Sequence, residues 1–263
     1  MSSWPFVGVA GAIGFLSRVP VGRTERAWDA FRKRPATMVA AGYPIGAVLA
    51  LPMLLVGVLP DVVRVPNTTI AFVFLVWVYL VTGITHLDGV TDLGDAAAVH
   101  GDVDRRRAVL KDSAIGAGGA LALGAVLVGL TTAGIGLAAV ARNAPVAAAT
   151  MVISVEVAAK TGMATTVCLS EPRHEGLGAA LLESSGPAAL IAVVAVAAPA
   201  ALLTWPRGGP PLVGGGLVLV AAFTAKYWAG RALGGVNGDV LGAINELVRI
   251  VGLHVGVILW RLS

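Results

Sequence analysis

Apolar segments of about 20 residues, nearly free of charge, follow one another along most of this 263-residue chain. Hydrophobic residues make up 57% of the sequence and charged residues 13%, with a mean hydropathy of +0.84. This composition is not that of a soluble domain. The sequence therefore predicts an all-α, polytopic helix bundle embedded in a lipid bilayer.

Seven segments are long and apolar enough to predict transmembrane helices. Their approximate ranges are 38–60, 67–85, 115–141, 144–168, 187–205, 211–234 and 240–260. The first apolar stretch, Pro5 to Leu16, is too short to cross and predicts a short re-entrant or interfacial helix. A cleaved signal peptide is disfavoured because the first four residues carry no basic side chain. With no long soluble linker, residues 1–263 are interpreted as one integral-membrane domain.

The Lys and Arg residues are distributed unevenly when the predicted spans alternate. One side carries the basic N-terminal segment, Arg105, Arg106, Arg107, Lys111, Lys160 and Arg173, with Lys226, Arg231 and Arg249 toward it; the other carries Arg64, Arg142, Arg207 and Arg261. The positive-inside rule makes the basic side cytoplasmic, so we expect a bacterial cytoplasmic (inner) membrane protein. The net charge of +4 then fits anionic lipid, since no basic groove or aromatic platform for nucleic acid is apparent.

The segment THLDGVTDLGDAA begins at Thr85, directly after an apolar span. On a helix, Asp88, Asp92 and Asp95 fall within an arc of roughly 60°, whereas His86 points about 160° away from Asp88, toward packing. Crowded carboxylates repel unless a cation neutralises them, and oxygen ligands suit magnesium. The sequence predicts a Mg²⁺ site and phosphate chemistry at the membrane edge. A solvated acidic loop or a helix cap is the alternative.

Three further polar clusters are predicted on the same side of the membrane. Lys111, Asp112, Ser113 and Gly116 precede the segment 115–141, where Asp112 or Ser113 could cap the helix or its free N–H groups could receive a phosphate. The stretch GGVNGDVLGAINE, residues 234–246, offers glycine backbone with carboxylate and amide oxygens beside an apolar segment. Glu156 and Lys160 form an i,i+4 pair within a span, either functional or mutually neutralising.

The ordered motifs FLSRVPVG, GYPIGAVLALP, HLDGVTDLGDA, KDSAIG, RHEGLG and GGVNGDVLGA cover nearly the whole chain. In this order they resemble the adenosylcobinamide-GDP ribazoletransferases, also called cobalamin synthases. The resemblance implies that adenosylcobinamide-GDP and α-ribazole, or its 5'-phosphate, are joined with release of GMP. This is magnesium-dependent phosphoryl transfer, the last assembly step of the cobalamin nucleotide loop. The oligomeric state is left open between a monomer and a homo-oligomer.

The resemblance and the residue chemistry together assign a set of site residues. Catalytic roles are expected for His86, Asp88, Asp92, Asp95, Lys111 and Asp112, with Mg²⁺ bound by Asp88, Asp92 and Asp95. Substrate binding is expected for Ser113, Gly116, Lys160, Arg173, Gly235, Asn237, Gly238, Asp239 and Glu246. An ion-coupled transporter is the rival interpretation. It is disfavoured because the polar motifs gather at one membrane face and no inverted repeat is visible.

Overall fold

The computed structural model of the protein describes residues 4–59, 65–172, 176–204 and 209–262, and those ranges contain helices and turns but no strand. The α-helices are α1 (Trp4–Leu16), α2 (Glu25–Arg32), α3 (Ala36–Leu49), α4 (Leu51–Val56), α5 (Asn67–Thr82), α6 (Thr85–Ala98), α7 (Val103–Val109), α8 (Ala117–Asn143), α9 (Pro145–Leu169), α10 (Leu177–Glu183), α11 (Leu190–Ala197), α12 (Gly209–Ala232) and α13 (Gly238–Leu262). Short 3₁₀ helices cover Pro187–Ala189 and Ala198–Thr204. The predicted all-α class is confirmed.

Four stretches are long and apolar enough to cross a membrane, namely Ala36–Val56, α8, α9 and α13. Within the described ranges the number rises to six if each of two bent pairs, α5 with α6 and α10 with Pro187–Leu203, counts as one span. Helix α12, with 24 residues, also lies over the predicted segment 211–234. The short N-terminal helix is found as α1. The chain is therefore a multi-pass membrane protein.

Prolines interrupt two of the predicted spans. The segment 38–60 divides into α3 and α4, with Pro52 in the first turn of α4. The segment 187–205 alternates between 3₁₀ and α geometry around Pro187 and Pro199. A proline removes one backbone N–H donor and clashes with the preceding turn, so a continuous helix is not maintained at these points.

Helix α9 forms the centre of the bundle and packs against α3 and α13. Glycines on α3 permit a close approach, since a Cβ at Gly42 or Gly46 would lie 3.0 Å from Val157 Cα or 2.9 Å from Ile153 Cα respectively. Small residues at such contacts allow helix backbones to pack closely in a membrane. Gly42 and Gly46 therefore allow α3 and α9 to pack closely.

The turn between α8 and α9 is as short as predicted, because α8 ends at Asn143 and α9 begins at Pro145. Arg142 stabilises this end of the hairpin by donating from Nε to Asn67 Oδ1 at 2.8 Å and from a second nitrogen to the Val65 carbonyl. With a rise of 1.5 Å per residue, the start of α8 lies about 40 Å from this turn. The two ends of α8 therefore belong to opposite ends of the bundle.

A sharp bend separates the apolar helix α5 from the acidic helix α6. Gly83 adopts a φ of 76° between them, a conformation that glycine reaches without steric cost, and the helix axes turn by 99°. The backbone before the bend is held by a hydrogen bond from Arg18 N to the Val81 carbonyl at 2.7 Å. The bend places the acidic segment beyond the apolar span that precedes it.

Candidate active site

Helix α6 contains Asp88, Asp92 and Asp95, as the spacing predicts. Asp88 is exposed and the other two are partly exposed, whereas Gly89, Val90, Thr91, Leu93 and Ala96 are buried. The apolar side of α6 therefore packs into the bundle. The three carboxylates remain on its accessible side.

The carboxylates of the site repel one another. Burial, together with the negative charges of Asp239, Asp88 and Asp95, raises the pKa of Asp92 from its usual 3.8 to about 6. Neither Asp88 nor Asp92 makes a hydrogen bond or ion pair with a described residue. Carboxylates such as these two suit a divalent cation, which takes oxygen ligands.

The acids of α6 do not form a complete set of metal ligands among the described residues. Within the described ranges, no three His, Cys, Asp or Glu side chains lie close enough together to hold a metal ion. A fourth carboxylate, that of Asp239 at the start of α13, lies near Asp92. The sequence had assigned Asp239 to substrate binding. Asp88, Asp92 and Asp239 are thus the residues whose charge and position suit a cation.

Helix α13 reaches the site through direct glycine contacts with α6. A Cβ atom added at Gly89 would lie 2.7 Å from Asp239 Cα and 3.0 Å from its carbonyl oxygen. One turn further on, a Cβ at Gly242 would lie 3.0 Å from His86 Cα. The motif GGVNGD, 150 residues beyond Asp88 in the chain, is therefore joined to the acidic helix.

Asn237 organises the beginning of α13. Its Oδ1 accepts a hydrogen bond from Val240 N at 3.1 Å, and its Nδ2 donates to Asp239 Oδ2 at 2.7 Å. Asn237, assigned to substrate from sequence, thus caps the helix and orients the Asp239 carboxylate. The neighbouring Gly238 has open space at its Cβ position, and Gly235 N donates to the Ala229 carbonyl at 3.1 Å.

Asp95 is engaged with the N-terminus of α8. Its Oδ2 accepts from Gly116 N and its Oδ1 from Gly119 N, each at 2.8 Å. The alternative in which Asp112 or Ser113 caps this helix is not found, because α8 begins at Ala117 and the capping oxygens come from Asp95. Asp95 also occupies the N–H groups that the sequence offered to a phosphate.

The loop before α8 carries the remaining candidates of the motif KDSAIG. Lys111, Asp112 and Ser113 are exposed, and Asp112 Oδ1 accepts from Ala114 N at 3.0 Å in a local turn. Because Gly116 binds Asp95, the end of this loop is fixed beside α6. The structure therefore brings the loop, though not each of its side chains, to the acidic helix.

Lys160 and Glu246 lie elsewhere, in a buried charge network between α5, α9 and α13. Lys160 Nζ is 2.6 Å from Glu156 Oε1 and donates to Asn245 Oδ1 at 2.6 Å. Arg249 binds both oxygens of Glu156 and lies 2.5 Å from Glu246 Oε1. Tyr79 donates to Glu246 Oε2 at 3.2 Å. Two acids and two bases neutralise one another, which favours the alternative reading of a structural pair for Lys160.

His86 lies between the acidic site and this network. It contacts α13 at Gly242 and is near enough to Lys160, Arg249 and Glu156 to experience their charges. This position agrees with the prediction that it points away from Asp88. Lys160 and Arg249 are at most 2% exposed, so both lie inside the bundle and do not contribute to the charge of a membrane-facing loop. Arg64, Arg207 and the polar turn of Arg173 with His174 and Glu175 lie outside the described residues.

Sequence analysis missed two residues that shape the site. Arg107 on α7 donates from Nε to the Leu233 carbonyl at 2.8 Å and so ties α7 to the turn before α13. Gly89 carries the contact between α6 and α13. The triple-arginine run indicated only a basic loop, and no local pattern marks a glycine that faces a helix 150 residues away.

The chain was compared with known proteins. Residues 8–257 match the cobalamin-5-phosphate synthase family. The chain belongs to this family. It is 50% identical over 257 residues to the adenosylcobinamide-GDP ribazoletransferase of Halorubrum lacusprofundi, covering 95% of this chain and 96% of the relative. Identity is 43% to the protein of that name from Haloquadratum walsbyi, covering 97% and 98%, and 30% to that of Azorhizobium caulinodans, covering 96% and 95%. No solved structure matches the chain.

Proposed function

We propose that this protein is the transferase that joins adenosylcobinamide-GDP to α-ribazole, or to its 5'-phosphate, and releases GMP. Two observations support the proposal: the family match over 8–257, and the acids of α6 and α13 meeting at the end of an apolar bundle. The second observation carries the mechanism, because phosphoryl transfer depends on positioning and charge neutralisation more than on covalent participation by the protein.

In the proposed reaction, a ribose hydroxyl oxygen of ribazole forms a bond to the phosphorus that bears the cobinamide arm. The bond from this phosphorus to the GMP oxygen breaks, and the hydroxyl proton passes to a base in the site. Asp88, Asp92 and Asp239 are not close enough to bind an ion by themselves, so they would hold Mg²⁺ only together with the substrate diphosphate, whose charge the ion would neutralise. Asn237 orients Asp239 through the 2.7 Å hydrogen bond, and the glycine contact at Gly89 sets the distance between α6 and α13.

The diphosphate also needs cationic or N–H partners from the protein. Lys111 is exposed in the loop whose end is fixed beside α6, and Gly238 leaves space for a ligand at the first turn of α13. Lys111 is therefore proposed to bind the diphosphate, with the α13 N-terminus as a second contact. Lys160 and Glu246 are proposed to support the site without contacting the substrate, because their buried network holds α9 and α13 together.

The decisive assay incubates purified protein with adenosylcobinamide-GDP and α-ribazole, with Mg²⁺ or with a chelator, and measures GMP and the cobamide product. Asp88→Asn is the matched inactive control, because it preserves shape while removing one charge. Magnesium-dependent release of GMP in equal amount to the product is expected. Unchanged substrates under conditions in which the Halorubrum lacusprofundi relative turns over would sink the proposal.

The site is proposed to face the cytoplasm of a prokaryotic cell. Some of the relatives are archaeal, such as that of Halorubrum lacusprofundi, so the proposal does not specify a bacterial membrane. Support comes from Arg105, Arg106 and Arg107 next to the acidic helix, whereas the α8–α9 turn at Asn143 lies about 40 Å away along α8. Reporter fusions after Arg106 should score cytoplasmic and fusions after Asn143 external; the reverse pattern would overturn the orientation.

A further inference from the structure

The Asp95 carboxylate is shared between two helices. It lies on α6, yet both of its oxygens accept hydrogen bonds at the start of α8, from Gly116 N and Gly119 N at 2.8 Å. Both amides belong to the first turn, where N–H groups have no carbonyl partner within the helix. A carboxylate there also interacts favourably with the helix dipole. Asp95 therefore caps α8 from outside α8.

Glycines in α8 make room for this arrangement. A Cβ atom at Gly116 or at Gly119 would collide with an oxygen of Asp95. Between them, Gly118 packs against α6, because a Cβ at Gly94 would lie 2.7 Å from the Gly118 carbonyl oxygen. The segment Gly94–Asp95 thus fits against Gly116–Gly119 by backbone contact and by two charge-assisted hydrogen bonds.

The other acids of α6 have a different environment. Asp88 and Asp92 make no hydrogen bond or ion pair with the described residues, and Asp239 approaches Asp92 from α13. The oxygens of Asp88 and Asp92 make no such contact, whereas both oxygens of Asp95 already accept hydrogen bonds from backbone amides. The spacing i, i+4, i+7 alone cannot distinguish these two roles.

We propose that Asp95 is a positioning residue, which joins α6 to α8 and so holds Asp88, Asp92 and the loop containing Lys111 in one arrangement. It is not a ligand of the ion. This inference rests on the proposed function for its catalytic consequence, while the helix joint itself can be tested without turnover. Asn is a poor substitute, because Gly116 N and Gly119 N donate to different oxygens of Asp95, and in Asn one of these two positions is an NH₂ group, which is itself a donor.

The experiment compares Asp95→Asn and Gly119→Ala with Gly124→Ala, a substitution on the same helix at a position with open space around its Cβ. Thermal unfolding is measured in detergent without Mg²⁺, and turnover is measured as a function of Mg²⁺ concentration. Asp95→Asn and Gly119→Ala should each lower Tm by roughly 3–8 °C, while Gly124→Ala should not. Both should reduce kcat on the order of 10²-fold through misplacement of α6.

Two readouts separate positioning from ligation. The Mg²⁺ concentration at half-maximal activity should remain near the wild-type value in Asp95→Asn but rise in Asp88→Asn. Adding Ala117→Asp to Asp95→Asn should recover part of the Tm, because a carboxylate in the first turn of α8 interacts favourably with the helix dipole, but should not recover kcat, because the link to α6 is still missing.

Each failure has a separate meaning. If Asp95→Asn keeps the wild-type Tm and raises the Mg²⁺ requirement as Asp88→Asn does, Asp95 is a ligand and the inference is wrong. If wild-type protein releases no GMP, the proposed transferase function fails, and the Tm comparison still decides whether Asp95 joins the two helices.

Discussion

Gly89 of α6 and Asp239 of α13 are in backbone contact, since a Cβ atom at Gly89 would lie only 2.7 Å from Asp239 Cα. The contact has no room for any side chain, because the obstructing atoms belong to the backbone of another helix. Two acidic segments from distant parts of the sequence are thereby held on one surface. The distance between their carboxylates depends on this glycine.

Gly89→Ala should therefore push α6 away from α13 and separate Asp92 from Asp239. We expect a fall in kcat on the order of 10²-fold, as for other displacements of about 1 Å in a catalytic group. Turnover and Tm are measured beside Gly230→Ala, whose Cβ position on α12 is open. Normal turnover in Gly89→Ala, with Gly230→Ala also normal, would show that the spacing of these helices is not critical.

Asp92→Asn should reduce activity and increase the stability of the metal-free protein. The loss of one charge-neutralising contact typically costs on the order of 10²–10³-fold in rate. The pKa of Asp92 is raised in the fold from 3.8 to about 6, so its ionisation above pH 6 opposes folding. Asparagine cannot ionise, and this opposition disappears.

The sign of the effect gives a clear pH dependence. Near pH 4 the Asp92 carboxyl is protonated in the folded protein and about half protonated in the unfolded chain, so Asp92→Asn and wild type should differ little in Tm. Above pH 6 the variant should unfold roughly 2 °C higher, a modest effect because the group is partly exposed. Added Mg²⁺ should remove the difference by stabilising the wild type. If Asp92→Asn and wild type have equal Tm values without Mg²⁺ at pH 7.5, as they should at pH 4, the proposed repulsion is contradicted.

The sequence predicted the features of this fold that depend on local periodicity. Asp88, Asp92 and Asp95 lie on one helix because their spacing follows the helical repeat, and the α8–α9 turn is short because Pro145 suits a first helical turn. Irregular geometry near Pro199 was not predicted, since long apolar composition alone does not report how proline breaks a span.

Contacts between distant helices were beyond prediction from one sequence. Arg249 and Glu156 are 93 residues apart, and nothing in the local pattern of either segment specifies the other. The same applies to Asp95, whose partners are the amides of Gly116 and Gly119. The sequence of an acidic motif predicts its charge. Which of its residues bind a ligand and which cap a helix depends on tertiary structure.

The buried network should be essential for stability rather than for substrate affinity. Removing one partner of a buried ion pair typically costs about 3–5 kcal/mol, because the remaining charge is left uncompensated. Arg249→Met should lower the free energy of unfolding more than Lys160→Met, since Arg249 forms ion pairs with both Glu156 and Glu246, while Lys160 pairs with a single acid, Glu156, among the described residues. Lys33→Met is the matched control at an exposed position.

Thermal inactivation and steady-state kinetics test this prediction together. Both network variants should have a lower Tm than wild type, with the larger decrease in Arg249→Met. The protein that remains folded should show an unchanged KM for adenosylcobinamide-GDP. A raised KM in Lys160→Met at a normal Tm would instead return Lys160 to the substrate site, as the sequence suggested.

Substitutions of Asn237 and Asp239 should distinguish helix capping from a role in the reaction. Asn237 Oδ1 caps Val240 N, whereas the Asp239 carboxylate accepts from Asn237 Nδ2 and faces α6. Asn237→Ala should therefore lower Tm, by an amount corresponding to about 1 kcal/mol for a lost cap. Asp239→Asn and Asp239→Ala should both lose turnover at a nearly normal Tm, because neither supplies a charge. If only Asp239→Ala loses turnover, and its Tm is also lower, Asp239 stabilises the helix and does not take part in the reaction.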